Sequence, residues 1–143
     1  MSPVPSPVVV DASISVSWFV WEPGAERAQR LRHEAAGGRL VLHAPEVWLA
    51  ECANAIWKKV QVVHTLSVAQ GSEASSHLVR TGMVLVATAN LLPRAYALAT
   101  AHRCTVYDAL YLALSQVLDA RLATADAKLA RLARAAGIEL RED

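Results

Sequence analysis

The chain has 143 residues, which suits one domain with a substantial core. Its net charge of +1 gives no overall basic field, so any nucleic-acid binding must depend on a local patch. The hydrophobic fraction of 54% exceeds the usual average for soluble domains and favours a partner or a dimer interface.

The N-terminal segment MSPVPSP lacks the basic start of a signal peptide, and no apolar run in the sequence reaches membrane-spanning length. We therefore expect a cytoplasmic protein. Residues 1–7 are predicted to form a flexible tail, and residues 8–143 are predicted to form a single domain.

Short strands alternate with helices along the chain. The patterns predict strand 8–10, helix 12–20, helix 25–36, strand 40–42, a helix opened by Pro45, strand 83–87, a helix capped by Asn90, helix 104–118, strand 121–124, helix 126–136 and strand 138–140. Residues 60–81 are less regular, because Gly71 and nearby serines weaken the helix that Thr65 would cap. The alternation predicts an α/β fold with a parallel sheet and right-handed crossovers.

The first strand ends at a carboxylate. Its three consecutive valines, Val8–Val10, are typical of a strand buried on both faces of a parallel sheet. Ligands of open α/β sheets bind at the carboxyl ends of the strands, so Asp11 is the first candidate for chemistry.

Three further acids are candidates beside Asp11, and two of them share with it a purely structural explanation. Asp11 and Asp126 each follow a strand and precede a helix, where an N-cap aspartate stabilises the helix by about 1 kcal/mol. Thr105 and Asp108 have the spacing of a capping box. Each of these three acids can therefore be explained without a functional role.

The remaining acid, Glu51, lies in the second turn of a predicted helix, too far in to be a cap. A carboxylate on so apolar a helix faces solvent, pairs with a cation or binds a metal, because burying it unpaired costs several kcal/mol. No basic residue lies one helical turn away, and Asn54 is its only polar companion on that face.

If these carboxylates converge in one crevice, a cation is needed to keep them all ionised. Oxygen ligands without histidine or cysteine select Mg²⁺ or Mn²⁺ and not zinc, and Cys52 and Cys104 lack metal-binding spacing. Water bound to such an ion becomes more acidic and can attack a phosphodiester. The pattern therefore predicts metal-dependent phosphodiester hydrolysis.

The candidate acids lie in four sequence blocks, which in chain order are VVVDASISVSWF, APEVWLAECANAIWKK, TVYDALYLALSQ and RLATADAKL. Together these blocks resemble those of the PIN-domain ribonucleases and, within that family, those of the VapC-type toxins of toxin–antitoxin systems. The similarity runs from Val8 to Leu132 and is poor over residues 60–81.

The resemblance implies a PIN-like α/β/α sandwich around a short parallel sheet. It also implies an endoribonuclease, often a homodimer, that cuts tRNA or rRNA and is neutralised by a small antitoxin. The catalytic residues, which would hold Mg²⁺ or Mn²⁺ and are called the four acids below, are Asp11, Glu51, Asp108 and Asp126. The polar companions that would orient them are Ser13, Asn54 and Thr124.

A row of basic residues follows the last of the four acids. Lys128, Arg131 and Arg134 recur every three residues, opposite the leucine stripe of the last predicted helix. They would contact RNA phosphates if this helix borders the substrate, and otherwise they form an ordinary solvated face.

Two other functions remain open from the residues alone. A non-catalytic PIN-like module would bind RNA or protein through the same fold. A magnesium-binding receiver domain would need an aspartate after the middle strand, where the sequence has Thr88, Ala89 and Asn90. The number of acids favours the enzyme over both alternatives.

Overall fold

The computed structural model describes residues 4–142 and contains a four-stranded parallel sheet in the order β3-β2-β1-β4. The strands are β1 (Ser6–Val10), β2 (Leu40–Pro45), β3 (Val84–Val86) and β4 (Arg121–Ala123). The helices of the described residues are α1 (Ala12–Ser15), α2 (Ala25–Ala36), α3 (Val47–Gln61), α4 (Val68–His77), α5 (Thr88–His102), α6 (Val106–Leu118) and α7 (Ala127–Ala135). The predicted α/β fold is confirmed.

Strand β1 is the centre of the sheet. It pairs in parallel with β2 on one side, where Val8 lies opposite Leu42, and with β4 on the other, where Val10 lies opposite Ala123. The three valines of β1 are almost completely buried, as their β-branched run predicted. Because all four strands are parallel, their carboxyl ends meet at one edge of the sheet.

Helices flank this sheet and complete the core. Helix α6 contacts both β1 and β2, α5 packs along α6, and α4 packs along α3. Trp48 of α3 and Tyr111 of α6 are the two largest of the fully buried side chains in the described residues. No helix in the described part of the chain combines the length and apolar composition that a membrane crossing requires.

The first strand begins two residues earlier than predicted. The Ser6 amide donates to the Arg39 carbonyl at 3.1 Å, and Ser6 lies opposite Leu40. Strand β1 therefore overlaps the segment expected to be a tail, of which residues 1–3 lie outside the described residues.

Two helix starts were wrongly predicted. Pro45 ends β2 and does not open α3, because the following Glu46 amide donates to the Val86 carbonyl and extends the ladder to β3. Asn90 lies inside the first turn of α5, whose N-cap is Ala87. The inter-strand contact sets the start of α3, and the backbone geometry at Ala87 sets the start of α5. The helix-starting preferences of Pro45 and Asn90 do not decide either boundary.

The irregular stretch contains α4, which begins at a different cap from the one predicted. Ser67, and not Thr65, caps it in a reciprocal box: the Gln70 amide donates to Ser67 Oγ, and the Ser67 amide donates to Gln70 Oε1. Gly71 is buried where α4 meets α3, and a Cβ there would lie 2.5 Å from Val60 Cγ2. The glycine that weakened the helix pattern thus permits close helix packing.

Two other elements are shorter than predicted. Helix α1 stops at Ser15 and continues as a single 3-10 turn, where the buried Trp18 indole donates to the Ala28 carbonyl. The strand predicted at 138–140 is reduced to one bridge between Leu140 and Leu122.

Candidate active site

Asp11 stands at the carboxyl end of β1 and is 6% exposed. Its Oδ2 accepts a hydrogen bond from Ser13 Oγ at 2.6 Å and another from Thr124 Oγ1 at 2.8 Å. Asp11 occupies the N-cap position of α1, but within the described chain its side chain makes no capping bond. The capping explanation is therefore wrong for this residue, because its carboxylate accepts hydrogen bonds from two hydroxyl groups instead.

Thr124 joins the turn after β4 to the turn after β1. Besides donating to Asp11, its Oγ1 accepts from the Asp126 amide at 3.0 Å. The Ala125 amide donates to Ser13 Oγ, also at 3.0 Å. The two turns are thus held together by side-chain hydroxyls at the point where the parallel strands end.

Asp126 begins α7 and behaves as a helix cap. Its Oδ1 accepts from the amides of Lys128 at 2.9 Å and Leu129 at 3.3 Å, as the structural explanation predicted. The carboxylate is nevertheless close enough to Asp11 for its charge to raise the Asp11 pKa. Capping and proximity to Asp11 coexist in this residue.

Glu51 of α3 neither points freely into solvent nor forms a salt bridge within residues 4–142. Its Oε1 accepts a hydrogen bond of 2.7 Å from the phenol of Tyr111, which lies on α6. Burial and the nearby charge of Glu51 raise the pKa of the Tyr111 phenol far above its usual range, so the phenol stays protonated and donates.

Tyr111 was not among the predicted site residues. It is a polar-tipped side chain in a largely apolar helix, and a buried tyrosine hydroxyl normally has a hydrogen-bond partner. That was the one signal in the sequence, but it could not identify Glu51 as the partner.

Asp108 lies one helical turn before Tyr111 at the start of α6. The Asp108 amide donates to Thr105 Oγ1 at 3.2 Å, so the predicted capping box is only half formed. Its carboxylate instead forms a salt bridge of 3.5 Å with Lys128 Nζ, which comes from α7. The contact brings α6 and α7 together beside the acids.

Electrostatic repulsion connects neighbouring pairs among the four acids. Burial raises the pKa of Asp11, and the Ser13 and Thr124 hydrogen bonds offset only part of that rise. Burial also raises the pKa of Glu51, with further contributions from the charges of Asp11 and Asp108. Repulsion between carboxylates therefore connects the four acids in pairs: Asp126 with Asp11, and Glu51 with both Asp11 and Asp108.

The donor set suits a hydrated hard cation better than a closed metal cage. Among residues 4–142, no three histidine, cysteine, aspartate or glutamate side chains lie close enough together to hold a metal unaided. The groups around Asp11 offer only carboxylate and hydroxyl oxygens. Mg²⁺ commonly keeps several waters and binds through one or two carboxylates, which fits this arrangement.

The other predicted polar and basic residues lie in different environments. Asn54 is exposed on α3, and its side chain forms no hydrogen bond within the described residues, unlike the side chains of Ser13 and Thr124. In the basic row, Lys128 contacts Asp108, and Arg131 is exposed. The third member, Arg134, forms a salt bridge of 2.9 Å with Glu142.

Two further residues secure the site and were missed from the sequence. Arg27 of α2 donates to the Thr124 carbonyl at 3.1 Å and to the Arg141 carbonyl, which ties the end of β4 to the C-terminal segment. The fully buried Trp48 donates to Ser15 Oγ at 2.6 Å, and Ser15 Oγ donates to the Asp11 carbonyl. Trp48 therefore fixes α3 against the turn that carries Asp11.

The raised pKa of Asp11 predicts how Asp11→Asn alters stability in metal-free buffer. The pKa of Asp11 is higher in the folded than in the unfolded protein, so the protonated carboxyl stabilises the wild type. This contribution is fully present below the unfolded pKa and is lost as pH rises through the native pKa. Asparagine cannot ionise but keeps an acceptor for Ser13 and Thr124. We expect Asp11→Asn to have a higher melting temperature than the wild type at pH 7. This difference in melting temperature should shrink as the pH is lowered.

Thermal melts in EDTA, recorded from pH 7 down to acidic pH, measure this difference in melting temperature. The control is Glu139→Gln, which removes the charge of an exposed carboxylate outside the site. A lower melting temperature for Asp11→Asn than for the wild type at pH 7 would contradict a raised pKa of Asp11.

Comparison with known proteins agrees with this geometry. Residues 8–135 match the sequence model of the family described as PIN domain. Ribonuclease VapC3 from Pyrobaculum aerophilum is 33% identical over 128 residues, which cover 86% of this chain and 92% of that protein. The resemblance to VapC-type PIN proteins is confirmed, and the receiver-like alternative is excluded.

Solved structures share the fold. PAE2754 from Pyrobaculum aerophilum has a TM-score of 0.64 at 21% identity, covering 89% of this chain and 84% of that one. A toxin–antitoxin complex from Klebsiella pneumoniae gives 0.60 at 16% identity, with coverages of 85% and 88%. FitAcB from Neisseria gonorrhoeae gives 0.57 at 12% identity, with coverages of 94% and 96%. With its sequence blocks, its sheet and its acids in agreement, this chain belongs to the PIN-domain family.

Proposed function

We propose that this chain is a metal-dependent endoribonuclease, the toxin of a toxin–antitoxin pair. The observation that carries the proposal is the pairwise repulsion that Asp11 shares with Asp126 and that Glu51 shares with Asp11 and Asp108, at the carboxyl edge of a PIN-domain sheet. Its similarity to Ribonuclease VapC3 supports RNA as the substrate, with tRNA or rRNA the candidates.

The proposed catalytic and metal-holding residues are the four acids, with Mg²⁺ or Mn²⁺ as the cofactor. When bound, the ion supplies Lewis-acid chemistry, since it makes coordinated water more acidic and neutralises charge on the phosphodiester. The Ser13 and Thr124 hydroxyls hold Oδ2 of Asp11 in place. Asn54 is exposed nearby on α3 and is proposed to contact water or substrate at the rim of the site.

The basic row is proposed to contact RNA phosphates, with unequal contributions. Lys128 carries positive charge to the crevice, because it already contacts Asp108. Arg131 is exposed on the same helix and is free of salt bridges in the described part of the chain. Arg134 must exchange its Glu142 partner for a phosphate, so it should contribute less than Arg131.

The surface supports protein partners. Large apolar side chains remain exposed, and Trp21, at 85% exposure, stands beside two clefts of about 600 and 670 Å³ that none of the four acids lines. Such surface suits a small antitoxin and a second copy of the chain. A cytoplasmic location follows from the proposed RNA substrate and antitoxin.

Cleavage of labelled single-stranded RNA tests the enzyme directly. We expect Mg²⁺ or Mn²⁺ to support cleavage and EDTA to abolish it. Asp11→Asn and Glu51→Gln should each lower the rate about a hundredfold or more, because each removes a charge needed to hold the ion.

The matched control is Glu46→Gln, the same chemical change at an exposed glutamate beside α3. Its carboxylate accepts from the Thr88 amide, a bond that glutamine retains. Metal-dependent cleavage that survives in Asp11→Asn would refute the assignment. RNA binding without turnover by the wild type would identify the non-catalytic module.

RNA affinity as a function of salt tests the basic row. In EDTA, Arg131→Ala should weaken binding and reduce the slope of log K against log salt by about 0.7, the value for one phosphate contact on a single strand. Arg134→Ala should change the slope less. Arg30→Ala, an exposed cation of α2, is the control, and an equal loss in Arg30→Ala and Arg131→Ala would contradict a phosphate contact on α7.

A further inference from the structure

One hydrogen bond connects two of the helices that carry the four acids. Tyr111 Oη on α6 donates to Glu51 Oε1 on α3 at 2.7 Å, across 60 residues of sequence. We propose that Tyr111 is a positioning residue for Glu51, holding its carboxylate ready for a divalent ion. This inference rests on the proposed function, in which Glu51 is a metal-holding residue.

The position of Tyr111 suits this role. Its side chain is 1% exposed and lies in the most completely buried stretch of α6, so the phenol is a rigid donor. Asp108 precedes it by one helical turn, which puts both residues on the same face of α6. The hydrogen bond therefore joins the acid of α3 to the helix that supplies another of the four acids.

The environment of Glu51 offers no other anchor. Within residues 4–142 its carboxylate forms no salt bridge, and its Oε2 accepts no hydrogen bond. Tyr111 satisfies Oε1 and leaves Oε2 as the oxygen without a protein donor. A glutamate side chain has several rotatable bonds, so fixing one oxygen lowers the entropy lost when the carboxylate binds an ion.

Hydrogen-bond partners of metal ligands have measurable effects on affinity. Replacing such a partner typically weakens metal binding by 10- to 100-fold. Tyr111→Phe removes the hydroxyl and keeps the ring, so core packing is preserved. The expected effect is a loss of metal affinity without a comparable loss of folding stability.

The test is a titration of metal-free protein with Mn²⁺, followed by the electron paramagnetic resonance signal of the free ion. Tyr111→Phe should weaken Mn²⁺ binding about tenfold. The matched control is Tyr96→Phe, which removes the same hydroxyl from an exposed residue of α5 and should bind as the wild type does.

A double-mutant cycle separates positioning from a general structural effect. In a Glu51→Ala background, adding Tyr111→Phe should change Mn²⁺ affinity by less than about twofold, because no carboxylate is left for the Tyr111 hydroxyl to hold. The same tenfold loss in both backgrounds would overturn the proposal. Equal Mn²⁺ binding by Tyr111→Phe and the wild type would overturn it as well.

Donor chemistry provides a second comparison that does not depend on the phenylalanine variant folding. At position 111, 4-aminophenylalanine retains an N–H donor, and 4-methylphenylalanine fills the same space without one. The amino variant should restore Mn²⁺ binding, and the methyl variant should not. Equal binding by the two would overturn the proposal.

The outcomes also separate this inference from the proposed function. If the wild type and Tyr96→Phe both fail to bind Mn²⁺, the metal-dependent function fails and this inference fails with it. If both bind and Tyr111→Phe binds equally well, only the role of Tyr111 is rejected.

Discussion

The parallel pairing of β1 with β4 brings Asp11 to its hydrogen-bond partner Thr124 and so sets the geometry of the site. Val10 lies opposite Ala123, so the residues that follow, Asp11 and Thr124, emerge side by side at one edge of the sheet. Their direct hydrogen bond of 2.8 Å then joins the two turns. A shift of one residue in this register would turn every side chain of β4 to the opposite face and separate Thr124 from Asp11.

The cost of this arrangement is electrostatic. Burial raises the pKa of both Asp11 and Glu51, and the charges of neighbouring acids raise it further. Hydroxyl donors offset part of that cost, from Ser13 and Thr124 at Asp11 and from Tyr111 at Glu51. In the proposed function, a divalent ion would relieve this repulsion between carboxylates, which is the physical link between the fold and the proposed chemistry.

Local pattern revealed the central strand and the candidate acids, because three consecutive valines and an unexplained glutamate are visible without tertiary structure. The partners of those acids were harder. Ser13 and Thr124 were suggested by family resemblance, but Tyr111 reaches Glu51 across 60 residues, and no periodicity encodes such a contact. The sequence predicts the same phosphate-contacting role for Arg131 and Arg134, but in the fold Arg134 forms a salt bridge with Glu142. The predicted helix start at Pro45 was wrong because the β-ladder continues through that residue.

In the proposed function, acids far apart in sequence share one divalent ion. X-ray diffraction at the manganese absorption edge, from crystals soaked in Mn²⁺, would locate that ion. We expect an anomalous peak in the crevice between Asp11 and Glu51, with carboxylate oxygens at about 2 Å from the ion. A peak remote from all four acids, or none in that crevice at saturating Mn²⁺, would contradict a shared ion.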